Sequence, residues 1–249
     1  MWRPAAPHCR QPLNGRCRVG IAAFANQRPA PPRRYYSVAR GAAPLVHLPT
    51  DREQPQLVAL RHTAAHVLGQ AVQKLFPEAQ ATLGPWTEDG FYYDFANPMP
   101  FSTKDLKRIK KEMDSIIKRK LPLVREEVSA KEARARLEAR GESYKLEILQ
   151  SIESRGDDII TIYHNGDEWW DLCAGPHVDS TGDLRPKAIA LTAVSAVHWR
   201  GAAEGSPPEL QRVSGVAWET AEQLAEWKRR TEEAARRDHR SIGTTLDLL

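Results

Sequence analysis

The sequence predicts an α+β fold, an antiparallel sheet with helices packed on one side, followed by a long C-terminal connector helix. Apolar residues recur at steps of three and four over Leu57–Phe76, which is the period of an amphipathic helix. Later segments are apolar or β-branched and lie between Gly, Pro and Asp residues, as short strands do. The last helical stretch, Thr220–Arg240, is so heavily charged that we expect a solvent-bridging connector.

The first part of the fold is predicted to be a helix, a hairpin and a second helix. The first helix should end at Pro77, because proline cannot continue a helix. Aromatic residues flank the turn signal Glu88-Asp89-Gly90 and predict a β-hairpin over Ala81–Phe95. A helix is then predicted over Thr103–Lys120, with a strongly basic exposed face. Such a face is usually only solvated, and nucleic-acid contact is the alternative.

The remaining elements are two short helices and five strands. The helices are predicted at Lys131–Arg140, which Gly141 would end, and at Tyr144–Ile152. The strands are predicted at Leu123–Val128, Ile159–His164, Glu168–Leu172, Lys187–Val197 and Leu210–Trp218.

The first fifty residues differ in composition from the rest of the chain. They hold eight arginines and neither a lysine nor an acidic residue. Because such N-termini are typical of mitochondrial or plastid transit peptides, we expect a disordered transit peptide at 1–40 and a linker at 41–56. The alternative is a basic arm that binds nucleic acid. Without these arginines, 28 basic residues face 32 acidic ones, so the mature domain has no global field that would attract a polyanion.

Cysteine usage and hydropathy exclude two classes of protein. Cys173 is the only cysteine outside the first fifty residues, so the mature chain forms no intrachain disulfide. No apolar run approaches the roughly 20 residues that span a bilayer, so we expect no membrane partner.

Four residues have spacings that indicate a chemical site. His62 and His66 lie four residues apart on the first helix, so both imidazoles project from one face. Cys173 and His177 flank a Gly-Pro pair, which predicts a tight turn that folds the thiol back toward the second imidazole. Three imidazoles and a thiol suit either a metal site or a water-activating acid/base cluster. Each pair alone also fits a structural role, since a buried cysteine can act as a small apolar residue.

Six blocks of sequence carry a resemblance to a known family. They are His62–Gly69, Gly90–Phe95, Arg140–Lys145, Asp171–Val178, His198–Gly201 and Gln211–Trp218. In this order they resemble the editing domain shared by threonyl- and alanyl-tRNA synthetases, and the threonyl branch in particular. The resemblance implies an editing domain at 57–219, followed at 220–249 by the connector helix and the truncated start of a ligase core.

The resemblance also implies an activity: hydrolysis of the ester of misacylated Ser-tRNA(Thr), as part of or derived from a threonine-tRNA ligase of organellar translation. The residues that would position and activate water are His62, His66, Cys173 and His177. Those that would hold the 3′-terminal adenosine or the amino acid are Tyr93, Lys145, Asp171 and Arg200. Zinc at the four catalytic positions stays open, because the alanyl branch binds it there and the threonyl branch works without it. No metal is favoured.

The resemblance sets further expectations about partners and location. Ala174, His198 and Ala202 replace the family's usual Arg, Tyr and Asp, which would weaken the grip on tRNA and leave the chemistry intact. The partners would be the aminoacylated 3′ end of tRNA and a separate synthetase core, since no ATP-dependent ligase core is recognisable here. We expect a monomer in the mitochondrion or plastid. The alternatives are a free-standing trans-editing deacylase and a non-catalytic tRNA-binding module.

Overall fold

A computed structural model describes residues 46–156, 158–199 and 208–237, and this part of the chain is α+β, as the sequence predicts. Its α-helices are α1 (Gln56–Leu75), α2 (Thr103–Lys118), α3 (Ala130–Arg140), α4 (Ser143–Glu153) and α5 (Ala221–Arg236). Its strands are β1 (Gln80–Ala81), β2 (Gly90–Ala96), β3 (Leu123–Ser129), β4 (Ile159–Asn165), β5 (Trp169–Leu172), β6 (Ile189–His198) and β7 (Glu209–Ala217). No helix of these described residues is long and apolar enough to cross a membrane.

The strands form two antiparallel sheets, where the sequence suggested one. The larger sheet has the order β1-β2-β7-β6, and the smaller has the order β3-β4-β5. Each sheet has its own apolar core. The larger sheet packs with α1 and α2 through residues such as Phe95 and Met113, whereas α3 and α4 cover the smaller sheet through Leu137 and Leu149. Strand periodicity reports which residues share a face, but it does not report which strands pair, so the division was not readable from the sequence.

Helix α1 is central to the fold, because 13 of its 20 residues are buried. Its apolar residues pack against the larger sheet. Its polar residues meet the smaller sheet: Gln70 accepts a hydrogen bond from Asn165 Nδ2 (3.3 Å), and Gln73 accepts one from Trp169 Nε1 (2.7 Å). The polar stripe that looked solvent-facing in sequence is therefore an internal surface.

Local signals set the element boundaries as the sequence predicts. The hairpin turn lies at Glu88 and Asp89, since the backbone groups of Thr87 and Gly90 bond each other (2.8 and 3.2 Å). Gly141 ends α3 with a left-handed φ of 67°, which glycine adopts without strain. The connector helix α5 begins at a capping box on Thr220 and buries Leu224 alone among its described residues. The predicted transit peptide and residues 238–249 lie outside the described residues.

Candidate functional site

The four residues singled out by spacing converge on one point between the two sheets. Helix α1 supplies His62 and His66, and the loop after β5 supplies Cys173 and His177. Their potential ligand atoms all lie within 4.8 Å of one another. His66 is buried, and the other three side chains are partly accessible to solvent, so the cluster has one open side.

The loop after β5 is the tight turn that the Gly-Pro pair predicts. Gly175 has a φ of 78°, and its peptide bond to Pro176 is cis. A side chain at Gly175 would place its Cβ 2.7 Å from the hydroxyl oxygen of Tyr163, so only glycine fits without a shift. The Gly175 N–H donates to Cys173 Sγ at 3.2 Å, and this contact turns the thiol toward the histidines.

The thiol sulfur lies between two imidazoles. Cys173 Sγ is 3.3 Å from His62 Nε2 and 3.2 Å from His177 Nε2. A thiol carries one hydrogen and can donate to only one of them, so the other imidazole must direct its own N–H at the sulfur. The three groups therefore form a chain along which a proton can be passed.

Thr63 and Tyr163 complete the surroundings of His177, and the sequence gave no sign of either. Thr63 Oγ1 accepts the backbone N–H of Val178 (3.2 Å) and lies 3.1 Å from His177 Nδ1. The Tyr163 ring lies 4.4 Å from the His177 ring. The one available signal for Thr63 was its position between the two α1 histidines.

His66 lies at the closed end of the cluster. Its ring centroid is 4.1 Å from that of His177 and 5.3 Å from that of His62. Its Nε2 is 3.9 Å from Asp171 Oδ2, which is beyond hydrogen-bond length. The Nδ1 atoms of His62 and His66 are buried and have no hydrogen-bond partner among the described residues.

Three of the predicted substrate-binding residues form a buried charged triad beside His66. Lys145 Nζ is 2.6 Å from Asp171 Oδ1 and 3.1 Å from the Tyr93 hydroxyl, which donates to Asp171 Oδ2 at 2.5 Å. All three side chains are less than a tenth exposed. The fourth, Arg200, lies outside the described residues, as does Ala202. Ala174 and His198 are exposed.

Burial keeps the cluster uncharged. It lowers the pKa of His62 and His177, and that of His66 falls well below its usual value because burial acts together with the nearby His62 and Lys145. Burial also raises the pKa of the Cys173 thiol to about 12. At neutral pH the cluster therefore holds neutral imidazoles, which can accept a proton, and a protonated thiol.

The same donor set fits a zinc ion. Tetrahedral zinc with bonds of about 2.0–2.3 Å to nitrogen and sulfur separates its ligand atoms by roughly 3.4–3.6 Å. The two Sγ–Nε2 distances of 3.2 and 3.3 Å come close to that spacing. The unpartnered Nδ1 atoms of His62 and His66 offer further lone pairs.

Comparison with known proteins shows one family and one group of relatives. Residues 160–214 match the family described as the threonyl and alanyl tRNA synthetase second additional domain, a range that includes Cys173 and His177 but not α1. The chain is similar to the threonine-tRNA ligase of Thermosynechococcus vestitus, with 60% identity over 207 residues, which cover 83% of this chain and 33% of the relative. Those of Synechococcus elongatus and of a Synechocystis species are each 58% identical over 203 residues, covering 82% of this chain and 33% of the relative. The chain thus spans about a third of the length of the curated relatives it matches.

Proposed function

Because the chain belongs to the family of the threonyl and alanyl tRNA synthetase second additional domain, we propose that it hydrolyses the ester of misacylated Ser-tRNA(Thr). The observation that carries the proposal is the convergence of three neutral imidazoles and a protonated thiol on one partly open cluster. Neutral imidazole is the side chain best suited to take a proton from water near neutral pH.

The protonation states favour attack by water over attack by the cysteine. A thiol with a pKa of about 12 is a poor nucleophile, because the thiolate is the reactive form. In the proposed reaction a water oxygen bonds to the ester carbonyl carbon while an imidazole takes the water proton. The bond between that carbon and the ribose oxygen then breaks, and the ribose oxygen receives a proton from the Cys173–imidazole chain. The products are serine and tRNA with a free 3′ hydroxyl.

Lys145 has the geometry to hold the substrate. An ammonium group has three N–H donors, and the contacts with Asp171 and Tyr93 use two of them. The third can donate to a substrate oxygen or to the carbonyl oxygen as negative charge develops there. Serine is the proposed amino acid, because a pocket shaped for threonine rejects a residue lacking one methyl group by only about 1–3 kcal/mol, so a second hydrolytic sieve is needed.

Zinc would change how the water is activated. Bound by His62, His66, Cys173 and His177, it would lower the pKa of a coordinated water toward neutrality. The proposal routes no step through a metal, and a chelator tests the choice.

A basic face on α2 supports tRNA as the partner. It consists of Lys104, Lys107, Lys111 and Lys118, all of them exposed, on one stripe of the helix opposite its buried residues. Among the described residues these lysines have no ion-pair partner, whereas the acidic residues of α2 pair with other cations, as Glu112 does with Lys74. Such a stripe suits phosphate contacts along an RNA backbone.

The organellar setting is also part of the proposal. The acid-free, arginine-rich composition of residues 1–40 supports delivery to the mitochondrion or plastid. We also propose that the chain acts beside a ligase core, either in one polypeptide or as a separate chain, since the relatives are ligases about three times as long as the matched region. Fusion of residues 1–56 to a fluorescent protein tests the first point.

The activity is tested by incubating the full chain with seryl- and threonyl-tRNA(Thr), with and without a chelator. We expect release of serine only, and a loss of about 10²-fold or more in His66→Ala and Cys173→Ala, the range usual for a lost acid or base. His47→Ala is the matched control, because its side chain is exposed and lies outside the cluster. Equal release of threonine would contradict the specificity, and wild-type rates in both site variants would contradict the site. Activity lost to a chelator and restored by zinc would assign a metal.

A further inference from the structure

A second hydrogen-bond chain runs behind the site, on the side away from the open face. Trp169 Nε1 donates to Gln73 Oε1 at 2.7 Å, and Gln73 Nε2 donates to Glu142 Oε1 at 2.7 Å. Gln73 Nε2 also donates to the carbonyl oxygen of Ala79 at 3.3 Å. These residues come from β5, α1 and the start of α4, so the chain links three elements that surround the site.

The direction of this chain is fixed by chemistry. The indole of Trp169 can only donate, so the amide oxygen of Gln73 must face it. The Gln73 amide nitrogen then faces Glu142, whose carboxylate can accept. One acceptor at Glu142 therefore determines the orientation of the Gln73 amide, which in turn fixes the Trp169 ring.

Trp169 passes this constraint to the site. Its ring meets the His66 ring edge to face, with centroids 5.4 Å apart and planes at 75°. On its other side it lies against the backbone of α1, where a Cβ at Gly69 would be only 3.0 Å from a ring carbon. The ring therefore has little freedom to tilt. Since His66 Nδ1 has no hydrogen-bond partner in the described part of the chain, the neighbouring rings are what hold the imidazole.

Glu142 is placed where it cannot contact a substrate. It is buried, and the cavity that it lines with Gln73, Trp169 and Lys145 has a volume of about 10 Å³. That space is about the size of one water molecule. Glu142 also immediately precedes α4, which carries Lys145 to Asp171.

We propose that Gln73 and Glu142 are positioning residues, which hold His66 in its catalytic orientation through the Trp169 ring. This rests on the proposed function for its catalytic consequence, but not for its structural one. Misplacing a catalytic group by a fraction of an ångström lowers the rate of the chemical step and leaves substrate binding largely unchanged.

The test compares four variants of the full chain. Glu142→Ala removes the acceptor, whereas Glu142→Gln keeps an oxygen that can accept from Gln73. Trp169→Phe removes the indole N–H, and Trp170→Phe is its matched control, since Trp170 is the next residue on β5 and points to the opposite face. We expect Glu142→Ala and Trp169→Phe to lower kcat for serine release about tenfold at constant KM, while the other two stay within about twofold of wild type.

A second readout does not depend on activity. In protein labelled with ¹⁵N-histidine, the imidazole resonances of His66, assigned with His66→Gln, should move in Glu142→Ala and Trp169→Phe and stay in place in Glu142→Gln and Trp170→Phe. Equal behaviour of Glu142→Gln and Glu142→Ala, or an unchanged His66 in Trp169→Phe, would overturn the proposal. If wild type releases no serine, the proposed function fails, and the resonances still decide whether the chain orients His66. If Glu142→Ala does not fold, the Trp169→Phe and Trp170→Phe pair decides alone.

Discussion

Gly175 provides the sharpest prediction, because two separate costs of adding a methyl group can be measured apart. Gly175→Ala must adopt a φ of 78° and bring its Cβ to 2.7 Å from the Tyr163 hydroxyl. Gly141→Ala must adopt a φ of 67° but meets no atom within 4 Å. Left-handed backbone costs an alanine about 1–2 kcal/mol, and overpacking of a buried contact adds about 1–3 kcal/mol.

We therefore expect Gly141→Ala to lose about 1 kcal/mol of unfolding free energy and Gly175→Ala about 2–4 kcal/mol. Urea unfolding at constant m-value measures both. Tyr163→Phe removes the closest atom, so the double variant with Gly175→Ala should recover part of the difference. Serine release should fall in Gly175→Ala, because the Gly175 N–H holds the Cys173 thiol. Equal stability of the two alanine variants, or no recovery in the double variant, would refute this reasoning.

Three further predictions follow from the charges. Lys145→Met leaves the Asp171 carboxylate buried without its cation and should cost about 3–5 kcal/mol in urea unfolding, whereas adding Asp171→Asn should recover part of that loss; additive effects would contradict a coupled pair. Because the site histidines have lowered pKa values, the unfolded chain protonates first as pH falls. In the presence of chelator, unfolding free energy should be constant above pH of about 6.5 and fall below it by up to about 1.4 kcal/mol per pH unit per histidine, so a flat profile between pH 7 and 5 would contradict the burial argument. Replacing the lysines of the basic face by Gln should raise KM for seryl-tRNA, reduce its salt dependence by roughly one log unit per lost phosphate contact, and spare hydrolysis of seryl-adenosine; an unchanged salt slope would exclude RNA contact there.

Much of the site was readable from the sequence because its signals are local. Four-residue spacing on a helix places His62 and His66 on one face whatever the rest of the chain does. A Gly-Pro pair between Cys173 and His177 forces a turn that brings thiol and imidazole together. The boundaries of the hairpin and of α3 depend on Gly90 and Gly141 in the same local way.

What only the tertiary structure decided is how these local pieces meet. The strands could pair as one sheet or two, since period-two patterns do not choose partners; the second sheet turns the polar stripe of α1 into an interior surface. That packing brings Cys173 to His62, 111 residues away along the chain. It also assigns Thr63, Trp169 and Glu142 their places, since none has a sequence spacing that distinguishes it from an ordinary polar or aromatic residue. Their importance arises from close packing and from the low dielectric of the interior, which keeps the imidazoles neutral and makes each buried hydrogen bond count.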